Sequence, residues 1–300
     1  ALFNFIGGVS MSEKNKSLAL THIAIFLFGS AGLFGKLINQ PAFAIVFGRV
    51  FFSVIVMFIV FKIKHVSLKF SDKKDYAVVI LMGLILSVHW VLFYHSVQIS
   101  TVAISLLTFS TCSIFATFME PIFFKEKLKK ENIIVAFVAF AGVVFVAPNV
   151  ELSSGMFQGF VEGILAGFTF ALVTILERKY VKHYSGVVIS FYEQVVVFIV
   201  LIPVIVLTGL NSVSKSDIAY ILLLSIVFTL LSRYCYITGL KGVSAQTASV
   251  LTSLEPIYGI ILAVPVLGEI PTVREIIGGF IIISAAIYSS TMFIKKEKTE

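Results

Sequence analysis

Four glutamates lie inside long apolar stretches of the chain, and Glu255 is the one nearest the middle of its stretch. In the segment SVLTSLEPIYGIILAV, residues 249–264, this carboxylate directly precedes Pro256. A charge in hydrocarbon is costly, and proline removes one N–H from a helix. A broken helix exposes backbone carbonyls, and a carboxylate beside them can bind an ammonium group, a cation or an exchangeable proton. We therefore predict that Glu255 binds substrate and takes part in proton coupling.

The other ionisable groups at depth suggest two alternative roles. Position along each stretch places Arg49 near the height of Glu162, and Glu193 near that of Arg233. One alternative is two buried ion pairs that lock helices together, although desolvation offsets much of their attraction. The other is a pair of gates, or arginines that bind a substrate carboxylate through a bidentate fork. His89 either shuttles a proton, since imidazole titrates near neutral pH, or is bonded to a neighbouring helix.

Hydroxyl, thiol and aromatic side chains near these heights are further candidates for substrate binding: Trp90, Tyr94, Thr108, Cys112, Tyr234, Thr252 and Tyr258. Each has a structural alternative, because threonine can bond to the carbonyls of its own helix and aromatic rings also fill helix interfaces. No H-E-x-x-H or G-x-S-x-G motif occurs, and neither cysteine lies in a metal-ligand spacing. We predict no metal, no cofactor and no enzymatic activity.

The composition indicates that these residues lie in membrane-spanning segments. Hydrophobic residues make up 58% of the 300 residues, charged residues make up 13%, and the mean hydropathy is +1.03. We predict an all-α membrane protein, because ten apolar stretches are long enough to cross the bilayer. They are residues 18–38, 42–61, 76–96, 101–124, 132–147, 156–177, 187–208, 218–240, 245–267 and 273–293.

The cationic residues favour one topology. Of the 23 lysines and arginines, 18 fall in the termini and in alternate loops, whereas Lys36, Lys215 and Arg274 fall in the others. The positive-inside rule then places both termini in the cytoplasm. We expect the cytoplasmic (inner) membrane as the location. The net charge of +7 fits anionic lipid headgroups, and no basic cluster alternates with aromatic residues as in nucleic-acid binding. We expect lipid and a small-molecule substrate as partners, and a monomer or weak dimer.

The chain divides near its midpoint, at VAPNVELSSG, residues 146–155. An offset of 143 residues aligns Ser110 with Ser253 and Glu126 with Glu269. Each half contains five stretches, and because five is odd, the second half must enter the membrane in the opposite orientation to the first. Such inverted repeats are typical of secondary transporters, whose substrate site lies near the midplane. The predicted units are an extension and tail (1–15), a first repeat (16–147), a loop (148–155), a second repeat (156–293) and a C-terminal tail (294–300).

Glycines recur every fourth residue at the start of the second half. Gly155, Gly159, Gly163 and Gly167 are followed at the same interval by Ala171. Small residues at this spacing let two membrane helices approach closely. The stripe indicates a packing seam, with a sliding surface between the halves as the alternative.

Two segments carry a family resemblance: STVAISLLTFSTCSIFATFMEPIFFKEKL, and GLKGVSAQTASVLTSLEPIYGIILAVPVLGEI with its SA...AS.L..LEP......VLGE pattern. Together with ten inverted spans, they resemble the EamA family of the drug/metabolite transporter superfamily, including its YddG-like amino-acid exporters. The resemblance implies a central cavity bounded by the third, fourth, eighth and ninth spans. It implies alternating-access transport of a small polar or zwitterionic metabolite, with amino-acid export as the leading interpretation and proton coupling as one option. The alternatives are a carrier of an aromatic vitamin-like metabolite or organic cation, and a structural or receptor-like membrane protein.

Overall fold

The structure is a computed structural model that describes residues 13–125, 130–147, 154–181, 183–239, 251–252 and 254–297. Within these ranges the chain is helical and contains no β-strand. Its helices are α1 (Glu13–Ala31), α2 (Phe34–Leu37), α3 (Ala42–Ile63), α4 (Lys73–Ile99), α5 (Val102–Phe109), α6 (Cys112–Phe124), α7 (Lys130–Val146), α8 (Gly155–Tyr180), α9 (Gly186–Thr208), α10 (Lys215–Ser225), a π-helical segment (Ile226–Leu231), α11 (Ser232–Gly239), α12 (Glu255–Leu267) and α13 (Val273–Glu297). The predicted N-terminal extension, residues 1–10, lies outside the described ranges, as does most of the loop 148–155.

Several helices are long and apolar enough to make this a multi-pass membrane protein. Seven stretches of the described residues meet the length and hydropathy of a membrane span: 15–37, 42–63, 73–99, 102–124, 155–177, 186–208 and 215–236. Two further apolar helices, 133–146 and 255–267, are shorter. The sequence predicted ten spans, and of the ninth, 245–267, the structure describes only 251–252 and 254–267, where α12 begins at Glu255. The count of ten therefore stays a prediction.

The loops gather at two ends of the helix bundle. At one end, which we call the lysine-rich end, the Ser71 N–H donates to the Tyr184 hydroxyl, and Asp72 caps the start of α4. At the opposite end the Asn39 N–H donates to Asp217, which also closes a capping box with Ser214 at the start of α10. At each end, a hydrogen bond therefore joins the first half of the chain to the second.

Two helices of equal length, α6 and α12, each begin after a turn inside an apolar stretch, at matching places in the two halves of the chain. α6 begins at Cys112 after a turn at Ser110 and Thr111, and α12 begins at Glu255 after a turn at Leu254. Their first residues differ by 255 − 112 = 143, and their last residues differ by 267 − 124 = 143. Each ends on a left-handed residue, Lys125 and Gly268 respectively. The offset of 143 found in the sequence thus recurs in the backbone, although Ser253 itself lies outside the described residues.

Glycines hold the helices close together. A Cβ atom on Gly159 would lie 3.0 Å from the Ser96 carbonyl oxygen of α4, and one on Gly167 would lie 2.8 Å from the Phe109 carbonyl oxygen of α5. The glycine stripe of α8 is therefore the predicted packing seam. On the other side of the bundle, Gly29 of α1 meets Gly259 of α12 backbone to backbone. α8 thus packs on α4 and α5 as α1 packs on α11 and α12.

Gly167→Val should destabilise the protein, because the valine side chain would clash with the backbone between α5 and α6. The Cys112 nitrogen would lie 3.0 Å from the new Cβ. Overpacking of this kind costs about 1–3 kcal/mol. Thermal unfolding in detergent should show a clear loss of Tm. Val161→Leu on the exposed face of the same helix is the matched control, and an equal Tm for both variants would contradict the close contact.

Candidate functional site

Glu255 is the first residue of α12, and 9% of it is exposed. Gly29 lies against its backbone carbonyl, so α1 covers this start of the helix. Among the described residues, none donates a hydrogen bond to the Glu255 carboxylate and none forms an ion pair with it. A buried carboxylate without partners is unfavourable unless something else binds it.

The start of α6 faces this carboxylate. Cys112 and Tyr236 both lie within electrostatic range of Glu255, and Tyr236 is hydrogen-bonded to the Thr252 side chain. Cys112 begins α6 and Glu255 begins α12, so each lies at the positive end of a helix dipole. An acidic side chain or the anionic group of a ligand is favoured at such a position.

Arg49 of α3 is buried in an aromatic site without a carboxylate. Its Nε donates to the Thr229 hydroxyl at 3.1 Å and its Nη1 donates to the Tyr94 hydroxyl at 3.1 Å. The guanidinium lies 4.4 Å from the centre of the Trp90 ring, as in a cation–π contact. Tyr94 in turn donates to the Ala31 carbonyl. In the described part of the chain, Arg49 has no counter-ion.

The predicted pairing of Arg49 with Glu162 is wrong. Glu162 accepts instead from His95, with 2.7 Å between the His95 Nδ1 and Glu162 Oε2 atoms, and from Gln158. The physical reason is the arrangement of helices, because α3 packs against α9 and α10, whereas α8 packs against α4 and α5. Equal height in the membrane does not bring two side chains together when their helices are not neighbours.

The predicted pairing of Arg233 with Glu193 is present, and a second carboxylate joins it. The Arg233 Nη2 atom lies 2.5 Å from Glu177 Oε1 and 3.5 Å from Glu193 Oε2. Its Nε atom donates to the Ser190 hydroxyl at 3.3 Å. The sequence analysis missed Glu177, which ends the predicted stretch 156–177. We call Glu177, Glu193 and Arg233 the acid–arginine triad.

His89 and Thr108 have structural partners. The His89 Nδ1 lies 2.9 Å from the Ala166 carbonyl oxygen, so Nδ1 carries the proton and donates to α8. Its ring packs between Phe109 and Phe170, with centroids at 5.4 and 5.0 Å. Thr108 donates to the Ile104 carbonyl of its own helix. These contacts favour the structural alternative for both residues.

Two further predicted binding residues, Tyr234 and Tyr258, lie on α11 and α12. Tyr234 is 55% exposed, and its role in binding stays a prediction. Tyr236, two positions on, is the one that faces Glu255. Tyr258 packs edge to face against Phe26 of α1.

Two cavities lined by described residues lie at the ends of the bundle. One of about 460 Å³ lies at the lysine-rich end beside Asp75, Lys179 and His183. The other, of about 80 Å³, lies at the opposite end beside Thr101, Glu269 and Glu275. Neither borders Arg49 or Glu255, so the central cavity expected from the sequence is not one of them. In the described residues, no group of three histidine, cysteine or acidic side chains is placed to hold a metal.

Comparison with known proteins agrees with this architecture. The EamA-like transporter family matches the chain twice, over residues 15–147 and 158–291. The uncharacterized transporter YxxF of Bacillus subtilis (strain 168) is 24% identical over 275 residues, which cover 90% of this chain and 88% of that protein. An S-adenosylmethionine uptake transporter of Rickettsia conorii (strain ATCC VR-613 / Malish 7) is 28% identical over 255 residues, 82% of each chain. A solved crystal structure has a TM-score of 0.66 at 14% identity and covers 95% of this chain and 99% of its own, so the fold is similar.

Proposed function

Because this chain belongs to the EamA-like transporter family, we propose that it is a secondary active transporter for a small zwitterionic metabolite, with an amino acid as the leading candidate. The observation that carries the proposal is a pair of buried, opposite charges. Arg49 is 6% exposed and Glu255 is 9% exposed, and neither has a counter-ion among the described residues. An amino acid offers one carboxylate for Arg49 and one ammonium group for Glu255. Because α3 and α12 are not packed neighbours in this conformation, the proposal requires the two charges to come together as the halves move during transport.

Other buried or half-buried ions already have partners. Arg233 pairs with Glu177, Glu162 pairs with His95, and Lys36 lies 3.8 Å from Glu269. We therefore assign the substrate carboxylate to Arg49, whose planar fork binds carboxylates through two hydrogen bonds. The ammonium group is assigned to Glu255. Trp90, Tyr94, Cys112 and Thr252 complete the proposed binding site, and His89 holds α4 to α8.

The proposed mechanism is alternating access between two inverted five-helix repeats, ten spans in all. Its supports are the family match in each half and the equal offset of α6 and α12. Broken helices at a repeat interface are typical binding sites of secondary transporters. We further propose the inner membrane as its location, cytoplasmic termini from the lysine distribution, export as its direction, and coupling to protons.

A second candidate substrate is a cationic amino-acid conjugate. The Rickettsia relatives are named S-adenosylmethionine uptake transporters. That compound carries an amino-acid group and a sulfonium cation, and a cation is attracted by Glu255 and by aromatic faces. A receptor or structural protein, the non-transport alternative, would bind such a ligand without moving it.

The test is a ligand screen followed by a transport assay. Purified protein is heated with proteinogenic amino acids, S-adenosylmethionine and aromatic vitamins. A true ligand raises Tm because it binds only the native state. At 100 times its Kd, it adds about 2.7 kcal/mol to the free energy of unfolding. Each hit is then tested for counterflow in proteoliposomes. Amino-acid counterflow supports the proposal, S-adenosylmethionine counterflow alone supports the second candidate, and binding without counterflow overturns transport.

A further inference from the structure

The acid–arginine triad contains one more negative charge than positive charge. We propose that Glu177 and Glu193 share one exchangeable proton, and that this carboxyl pair is where the transporter binds its coupling proton. The inference rests on the proposed transport function and names the ion site that this function needs. It is separate from the proposed substrate site at Arg49 and Glu255.

The geometry brings two carboxylates to one guanidinium. Glu177 comes from α8, Glu193 from α9 and Arg233 from α11, and the Arg233 Nη2 atom contacts both acids, at 2.5 and 3.5 Å. Glu193 is 0% exposed, and its second oxygen, Oε1, has no hydrogen-bond partner. A buried acceptor without a donor is costly. The missing donor is supplied if one of the two carboxyl groups carries a proton.

No other described cation balances the pair. On the helices packed around Glu193, the charged or titratable groups that face the triad are few. α11 presents Tyr236 besides Arg233, and α4 presents Gly83 against the Glu193 backbone. Arg49 of α3 lies within electrostatic range of Arg233 but forms no ion pair with either carboxylate. With both acids ionised the triad would carry one net negative charge in a low-dielectric interior, and one proton removes it.

The position of Arg233 favours a proton over a metal cation. Its guanidinium already touches both carboxylates, so a sodium ion in the same place would be repelled. Two carboxyl groups held together commonly share one proton, because like charges at close range are not both stable. The protonated group then donates to its neighbour, and the pair remains hydrogen-bonded.

The triad is placed to exchange this proton. The Glu177 and Arg233 side chains are 16% and 22% exposed, whereas Glu193 is sealed. Glu177 lies three residues before the end of α8, toward the lysine-rich end. On the inner side, Tyr236 lies within electrostatic range of Glu177 and of Glu255. Tyr236 therefore lies between the triad and the start of α12.

The test begins with the proton itself. Infrared spectra of the purified protein, recorded over a range of pH with H₂O/D₂O exchange, should show a titrating C=O band of a protonated carboxylic acid. Glu193→Gln should abolish this band, and Glu177→Gln should do the same, which guards against one variant failing to fold. Glu275→Gln, a change at another buried acid, should keep it. A band that is unchanged in both triad variants would overturn the proposal.

The second measurement separates this inference from the transport function. Proteoliposomes with an entrapped pH dye report protons that move with the substrate. Glu193→Gln should still exchange substrate, while its proton movement per substrate should fall about tenfold or more. Wild-type protein that transports without moving protons would overturn the coupling site and leave the transport function standing. A triad band in a protein that transports none of the panel would support the proton site and count against the proposed function.

Discussion

Glu255→Gln should weaken binding and transport of the zwitterionic substrate by about 30-fold to 5,000-fold, which corresponds to ~2–5 kcal/mol for losing one partner of a buried charge pair. The amide keeps the shape of the side chain but cannot balance an ammonium group. Affinity is measured by thermal shift or calorimetry, and transport by counterflow. Glu269→Gln, at the opposite end of the bundle, is the control and should retain wild-type affinity.

The same substitution should leave the empty protein at least as stable as wild type. The Glu255 carboxylate has no donor among the described residues, so an amide of equal size removes an uncompensated charge. Loss of transport together with an unchanged or raised Tm therefore identifies a binding group. A lowered Tm would instead show that Glu255 holds the fold together, and it would contradict the assignment.

The substrate can be varied together with the protein. A deaminated analogue, which keeps the carboxylate and lacks the ammonium group, should bind the Glu255→Gln variant as well as it binds wild type. The non-additivity of the two changes measures their direct interaction. Additive losses would mean that Glu255 acts on the substrate only indirectly.

Arg49→Met should produce the second large effect, a loss of about 30-fold or more in affinity for a substrate that carries a carboxylate. Its two hydrogen-bond partners are not left unsatisfied, because Tyr94 still donates to the Ala31 carbonyl and Thr229 still donates to the Leu224 carbonyl. Methionine also fills much of the same space beside Trp90. The variant should therefore fold, as its Tm in detergent will show.

The matched control for Arg49 is Arg49→Lys. Lysine keeps the charge but loses the planar fork and its stacking on Trp90, so we expect an intermediate affinity. A decarboxylated amine, which lacks the carboxylate, should bind Arg49→Met and wild type equally. If this amine loses as much affinity as the amino acid does, then Arg49 shapes the site and does not bind the carboxylate.

The apolar stretches and the break at Glu255 were predictable because they depend on local chemistry. A run of hydrophobic residues sets a span, and a buried glutamate followed by proline marks an interruption. The matching break at Ser110 and Thr111 was not predicted, since no proline occurs there and the offset of 143 residues only aligned Ser110 with Ser253. The helix packing seam of α8 followed from glycine spacing alone.

The partners of the buried charges were not predictable in the same way. Sequence gives the height of a residue in the membrane, but only the packing of helices decides which side chains meet. Arg49 therefore met Thr229 and Tyr94 in place of Glu162. Tyr236, which lies within electrostatic range of Glu255, was not among the predicted residues, because the sequence does not give the rotation of α11.

The π-helical segment lies between the two clusters of charge. Thr229, within this segment, accepts a hydrogen bond from the Arg49 side chain. Arg233 of the triad lies two residues after the segment ends. A π turn holds one extra residue, and moving that residue along the helix turns the intervening side chains by about 100°. Such a shift would turn Thr229 away from Arg49 and reorient Arg233 in one motion. The π-helical segment thus gives this span a place where its side chains can rotate about the helix axis.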